Sequence, residues 1–276
     1  MSNNHLIKPN KGSTVQIDVT PASAGWDYLS YKVVSLKAGE THTHQTAGNE
    51  IALTLLSGSG QLSIGDQQYD VARKGVFDEL GPVLYAPPQH ELSVEATSDL
   101  EFAIGGAPAE GKYPVRLFKP DEIKVELRGG GSAYRQVCHT LAHPLPAERL
   151  ILYEVYVSGG SWSGWPPHCH DGYAGSAHLD ETYHFFTTPD YGFTFHRNYR
   201  VDTDFDESFM AQSGDLVLVT QGFHSTAPAP NCTLYFLNYL AGELIDEARA
   251  TPPYDDPTYA WIKEDWDGNM RALPIV

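Results

Sequence analysis

Basic residues are scarce in this chain. Its 276 residues carry 18 lysines and arginines against 35 aspartates and glutamates, a formal net charge of −17. No run of Lys or Arg supplies the dense basic face that nucleic-acid phosphates require, and an anionic membrane is disfavoured for the same reason. An anionic small molecule is not excluded, because one or two arginines act locally whatever the global sign. Cysteine is also sparse. Cys138, Cys169 and Cys232 are odd in number and widely spaced. That pattern is no disulfide framework, and it places the chain in a reducing cytoplasm. Long apolar runs are missing as well. The N-terminal stretch MSNNHLIKPNK has no apolar segment of signal-peptide length, and no later segment approaches a membrane span. Long amphipathic helices are absent, leaving short helical turns near residues 120–123 and 257–262.

What is present points to strands. Tyr is abundant at 16 residues, and 25 Gly and 19 Pro supply turns. Short β-branched or aromatic segments bounded by Gly, Pro, Asn or Asp occur at residues 31–36, 51–57, 60–64, 69–71, 81–86 and 100–105. A second set covers residues 150–157, 181–187, 191–199, 215–220 and 233–239. Residues 107–132, with the triplet Gly129-Gly130-Gly131, read as a crossover between the sets. The expectation is an all-β chain made of a duplicated barrel, with domains at 1–120 and 121–276.

One constellation in the second set carries chemistry. In WPPHCHD (165–171), His168 and His170 are one residue apart. On a strand they point to one face, and Cys169 points to the other as a small buried thiol. Downstream, LDETYHFF (179–186) puts Glu181, Tyr183 and Phe185 on one face. Further on, a Gly214-Asp215 turn and an apolar strand lead to Gly222-Phe223-His224, which can return His224 to the pair. Three neutral imidazoles and a carboxylate suit one first-row divalent ion and leave positions open for substrate. Zinc is the first expectation, with Mn, Fe, Co and Ni also accommodated by this set. Asp171 and Asp180 compete with Glu181 for the carboxylate position, while His178, His184 and His196 read as solvent-facing or supporting.

The His-x-His, Glu and Gly-x-His arrangement resembles that of the cupins, which are jelly-roll barrels. More narrowly, the C-terminal half resembles the 5-deoxy-glucuronate isomerase family of myo-inositol catabolism, grouped with 5-keto-4-deoxyuronate isomerase. The resemblance is carried by VYVSGGSWSGWPPHCHD (155–171), LDETYHFF, FHRNY (195–199), GFHSTAPAP (222–230) and LYFLNYLAG (234–242). RGGGSAYRQVCHTL (128–141) and DPTYAWIKEDW (256–266) share it. It implies a bicupin with a metal on His168, His170, Glu181 and His224. It also implies conversion of the aldose 5-deoxy-D-glucuronate to the ketose 2-deoxy-5-keto-D-gluconate.

Such a reaction asks for a Lewis acid, a proton carrier and a grip on the remote carboxylate. Arg197 is the expected grip, with Arg200 as alternate. Tyr183 and Tyr199 are the first expectations for proton transfer, and Asp180 and His184 are further ones. The N-terminal half echoes the grammar in GETHTH (39–44), Glu50 and APPQH (86–90), which raises a second, weaker metal site at His42, His44, Glu50 and His90. Two other functions use the same fold: a cupin dioxygenase with Fe(II), and a non-catalytic sugar-binding cupin. The expected partners are a small anionic sugar acid and, through exposed barrel edges, further copies of the chain.

Overall fold

A computed structural model describes residues 5–267, and nearly all of its regular structure is strand. In the N-terminal half one sheet runs in the order Arg116–Phe118, Val83–Ala86, Asn49–Ile64, Leu100–Pro108, Ser30–Leu36, Val15–Val19. The strand Asn49–Ile64 then leaves this sheet and pairs with Gln67–Arg73 and Glu91–Ala96, the latter also carrying Thr41–Gln45. It can serve both sheets because the register shifts between Leu55 and Ser57. Gly58 follows at φ +94, where a Cβ would stand 2.0 Å from the Asp99 carbonyl oxygen. The enclosed space is filled by Val34, Leu36, Ile51, Leu53, Leu55, Leu62, Val94, Phe102 and Ile104.

The C-terminal half is a second barrel of two sheets. Seven strands run in the order Leu6–Ile7, Leu216–Val219, Leu179–Thr188, Thr233–Gly242, Ile151–Val157, Arg135–His139, Lys124–Arg128. Five strands face them: Asp206–Gln212, Phe193–Tyr199, Phe223–Pro228, Ser163–Cys169, Tyr254–Asp255. The architecture is therefore the expected duplicated jelly-roll pair, a bicupin.

Two details depart from the sequence reading. The 107–132 crossover contains strands, Arg116–Phe118 and Lys124–Arg128, one completing each half. The first residues also cross over: Leu6 lies opposite Val217 and Ile7 opposite Leu216, which covers the sheet edge that Leu216–Val219 would otherwise expose. No helix among the described residues is long and apolar enough to cross a membrane.

The barrels share a core. On Leu179–Thr188 the odd residues face the second barrel's interior, while Asp180, Thr182, His184 and Phe186 face the first barrel. Asp180 accepts from the backbone N–H groups of Tyr28 (2.7 Å) and Leu29 (3.0 Å), and His184 meets the Tyr31 hydroxyl at 2.9 Å. The Tyr239 hydroxyl reaches across to Thr54 at 2.9 Å, and a buried ion pair joins Arg73 to Glu154 at 2.5 Å. Gly105 lets the Tyr239 ring lie directly on the first barrel, since a Cβ there would come within 2.1 Å of the ring. Gly105→Ala is expected to destabilise the protein by about 1–3 kcal/mol through overpacking. Urea unfolding checks this, and an unchanged midpoint would show the interface to be looser than described.

Candidate metal centre and its cavity

Strand alternation assembles the centre. His168 and His170 project from Ser163–Cys169 and its end, while Cys169 packs outward with Tyr199 and Phe223. Burial pushes the Cys169 thiol up to about 12, as suits an inert core group. His224 lies directly opposite His168 on the paired strand Phe223–Pro228. Glu181 arrives from the facing sheet, between Val219 and Leu240.

The donors converge. Ligand atoms of His170, Glu181 and His224 all lie within 4.8 Å of one another, and all three residues are buried. His170 Nε2 is 2.8 Å from Glu181 Oε2, and His224 Nε2 is 3.1 Å from the same oxygen. The His224 atom lacks the alignment of a hydrogen bond and is an orphaned buried nitrogen. The His168 ring stands beside this cluster, its centroid 4.5 Å from that of His224. His170 Nδ1–H donates to the Leu179 carbonyl at 2.9 Å, which fixes the tautomer and leaves Nε2 for a ligand.

Electrostatics agrees with that fit. Burial opposes the charge on Glu181, yet the His224 and His170 imidazoles outweigh it and hold the carboxyl below its ordinary range. Burial, then neighbouring His224, keeps His168 well below the ordinary imidazole value and hence neutral. Burial lowers His170 as well, but its contact with Glu181 more than reverses this. A buried carboxylate beside three imidazoles, one with an orphaned nitrogen, fits a divalent first-row cation.

The cluster opens into a cavity of about 300 Å³. Its walls include Tyr153, Tyr183 and Asn238, an apolar band of Val137, Val155 and Phe236, and the arginines Arg128, Arg135 and Arg249. Tyr183 lies among Glu181, Arg135 and Asn238, and burial followed by Glu181 raises its phenol well above the ordinary value. Behind it, buried His196 holds Asn198 at 2.8 Å, its ring 15° from parallel to that of His224.

Other expected residues are placed elsewhere. Arg197 lies on the outer face of Phe193–Tyr199 and forms a bidentate pair with Asp206 at 2.8 and 2.6 Å. Alternation dictates this, because the neighbours His196 and Asn198 take the inward face. Tyr199 shares the outward face and donates its hydroxyl to Asp256 at 2.5 Å. Arg200 is held by Asp171 and Asp202, and Asp171 also accepts from the Gly222 amide. Asp180 and His184 belong to the barrel interface described above. None of these lines the cavity.

The N-terminal site is not assembled. His42 and His44 project from Thr41–Gln45, where His42 meets the Phe102 ring. Glu50 points the opposite way to Ile51 and is consumed at the barrel interface. It accepts from the amides of Glu148 (2.8 Å), Arg149 (2.6 Å) and Leu150 (2.7 Å) and from the Tyr85 hydroxyl (2.8 Å). His90 turns Nδ1 to its own loop, to the Pro88 carbonyl at 2.9 Å. Sequence reasoning missed Arg135, Tyr153 and Asn238 as cavity residues. Two-residue alternation through RQVCH at 135–139 was a signal that could have flagged Arg135 beside Val137.

Comparison with known proteins agrees with this architecture. The model of the KduI/IolB family matches residues 5–262. A Geobacillus thermodenitrificans protein named 5-deoxy-glucuronate isomerase is 36% identical over 261 residues, covering 93% of each chain. A Bacillus subtilis protein of the same name is 30% identical over 254 residues, covering 90% of this chain and 92% of its own. An IolB-like protein from Salmonella typhimurium, known from a crystal structure, superposes with a TM-score of 0.89 at 33% identity, covering 94% of this chain and 98% of its own. The Bacillus subtilis oxalate decarboxylase, which has Mn(II) centres, superposes with a TM-score of 0.62 at 13% identity, covering 88% of this chain and 78% of its own, and speaks for the fold alone.

Proposed function

Since the chain belongs to the KduI/IolB family, we propose that it is a metal-dependent 5-deoxy-glucuronate isomerase acting in inositol degradation. The observation that carries this reading is the convergence of His170, Glu181 and His224 within 4.8 Å at the end of a cavity that holds several polar groups. His168 is the fourth donor. A divalent ion bound there would polarise the sugar's carbonyl and favour negative charge on the adjacent oxygen.

The chain's own groups supply the rest. Tyr183 and Asn238 flank Glu181 and face the same space, where the Tyr183 hydroxyl can hold a proton at a sugar oxygen. Phe236, Val155 and Val137 exclude water from one wall. The Leu179 carbonyl orients His170. Conversion of aldose to ketose moves a hydrogen from C2 to C1 and a proton from the C2 oxygen to the C1 oxygen, and consumes no other reactant.

The test is direct. The metal-loaded protein is incubated with 5-deoxy-D-glucuronate and followed by NMR. Loss of the C1 aldehyde and hemiacetal signals with appearance of a ketose is expected, and a chelator should stop it. Oxygen uptake with no ketose would favour a dioxygenase instead. Ligand-induced thermal stabilisation without any product would favour a sugar-binding role.

A further inference from the structure

The cavity has a chemical polarity that names the ends of its substrate. Three arginines line it, and two are already engaged. Arg128 pairs with Glu126, and Arg249 gives its guanidinium to the backbone carbonyls of Leu141, Leu145, Leu150 and Asp246. Arg135 differs. Among the described residues its one hydrogen bond is a 3.5 Å contact to the Ala133 carbonyl, and no acidic side chain there pairs with it. A half-buried guanidinium without an anion is costly to maintain, and burial and Arg128 both depress its pKa. The same two influences favour an incoming carboxylate.

An apolar band runs beside Arg135. Arg135 and Val137 share a face of Arg135–His139, Val137 lies opposite Val155, and Val155 lies opposite Phe236. All four line the cavity. Resting on the isomerase reading above, we infer that Arg135 receives the substrate's carboxylate and that Val137, Val155 and Phe236 pack against the neighbouring deoxygenated carbon. In 5-deoxy-glucuronate the carbonyl end and the carboxylate end are at opposite termini. The methylene adjoins the carboxylate, as the band adjoins Arg135. The cavity thus reads a carboxylate and a missing hydroxyl together. A sugar acid with a hydroxyl at that carbon would leave it unpaired against hydrocarbon.

Steady-state kinetics with three sugars tests this: 5-deoxy-glucuronate, its neutral counterpart 5-deoxy-glucose, and glucuronate. Arg135→Gln is expected to lower kcat/KM for the acid by about 10- to 100-fold, chiefly through KM, while leaving 5-deoxy-glucose unaffected. Arg135→Lys should restore part of the loss. Equal losses on both sugars, or no loss, would overturn the carboxylate assignment. Val155→Thr keeps the volume and adds a hydroxyl. It should narrow an expected ~100-fold preference for the deoxy acid over glucuronate by about tenfold. An unchanged preference overturns the band. Metal content and melting midpoint serve as folding controls.

Binding separates this inference from the function it rests on. If the wild type turns over none of these sugars, the isomerase reading fails. Thermal stabilisation by 5-deoxy-glucuronate in the wild type but not in Arg135→Gln would still support the anion site, and equal stabilisation of both would overturn it.

Discussion

Glu181→Gln is expected to abolish tight metal binding and lower kcat/KM by about 10³-fold or more, the equivalent of about 4 kcal/mol of lost charge stabilisation. Glu181 is the one carboxylate in the donor cluster, and its Oε2 is shared by His170 and His224. An amide keeps the volume but removes the negative charge that offsets a bound cation. It also removes the anion that favours charge on the His170 imidazole. The fold should tolerate the change, because Glu181 holds no backbone group in place and the sheet around it is set by Leu179–Thr188 pairing with its neighbours. Metal analysis after dialysis, circular dichroism and the NMR assay give the three readings. His224→Ala should behave alike, since its buried Nε2 has no other hydrogen-bond partner. A Glu181→Gln protein that retains one equivalent of metal and full turnover would move the chemistry away from this cluster.

The second large effect is on stability and lies at the barrel interface. Glu50→Ala is expected to cost about 3–5 kcal/mol, because three backbone N–H groups, two of them buried, and the Tyr85 hydroxyl lose their acceptor at once. Glu50 is fully buried, so water cannot readily replace the carboxylate. Guanidinium unfolding measures the loss. Metal affinity of the folded variant should be unchanged, since Glu50 belongs to the other barrel. A midpoint shifted by less than the error of the measurement, with lost metal affinity, would restore Glu50 to the role of ligand that its place after His42 and His44 suggested.

That contrast marks what the sequence could convey. His168 and His170 were legible because a one-residue spacing has a single meaning on a strand. Glu181 and Tyr183 followed from the same rule, and so did the outward Cys169. The rule was available for Glu50 too: Ile51, Leu53 and Leu55 fill the first barrel, so Glu50 must face away from it. Local grammar resembling the second barrel outweighed that alternation. Arg197 was misplaced for a related reason. FHRNY carries the family resemblance, but its inward residues are His196 and Asn198, leaving Arg197 to Asp206 outside. Arg135 was hidden by what lies around it. Its distinguishing property among the described residues is a single long hydrogen bond and no acidic partner, and that can be read only once Arg128 has been located with Glu126 and Arg249 with its backbone carbonyls. The strands inside 107–132 were missed because Gly and Pro punctuation conceals short edge segments whose pairing is long-range.

Anomalous diffraction at the absorption edge of the incorporated metal tests the central claim most directly. The predicted result is one strong peak, about 2.0–2.2 Å from donor atoms of His168, His170, Glu181 and His224. A metal-loaded, active crystal with no peak there, or with its peak at His42 and His44, would contradict it.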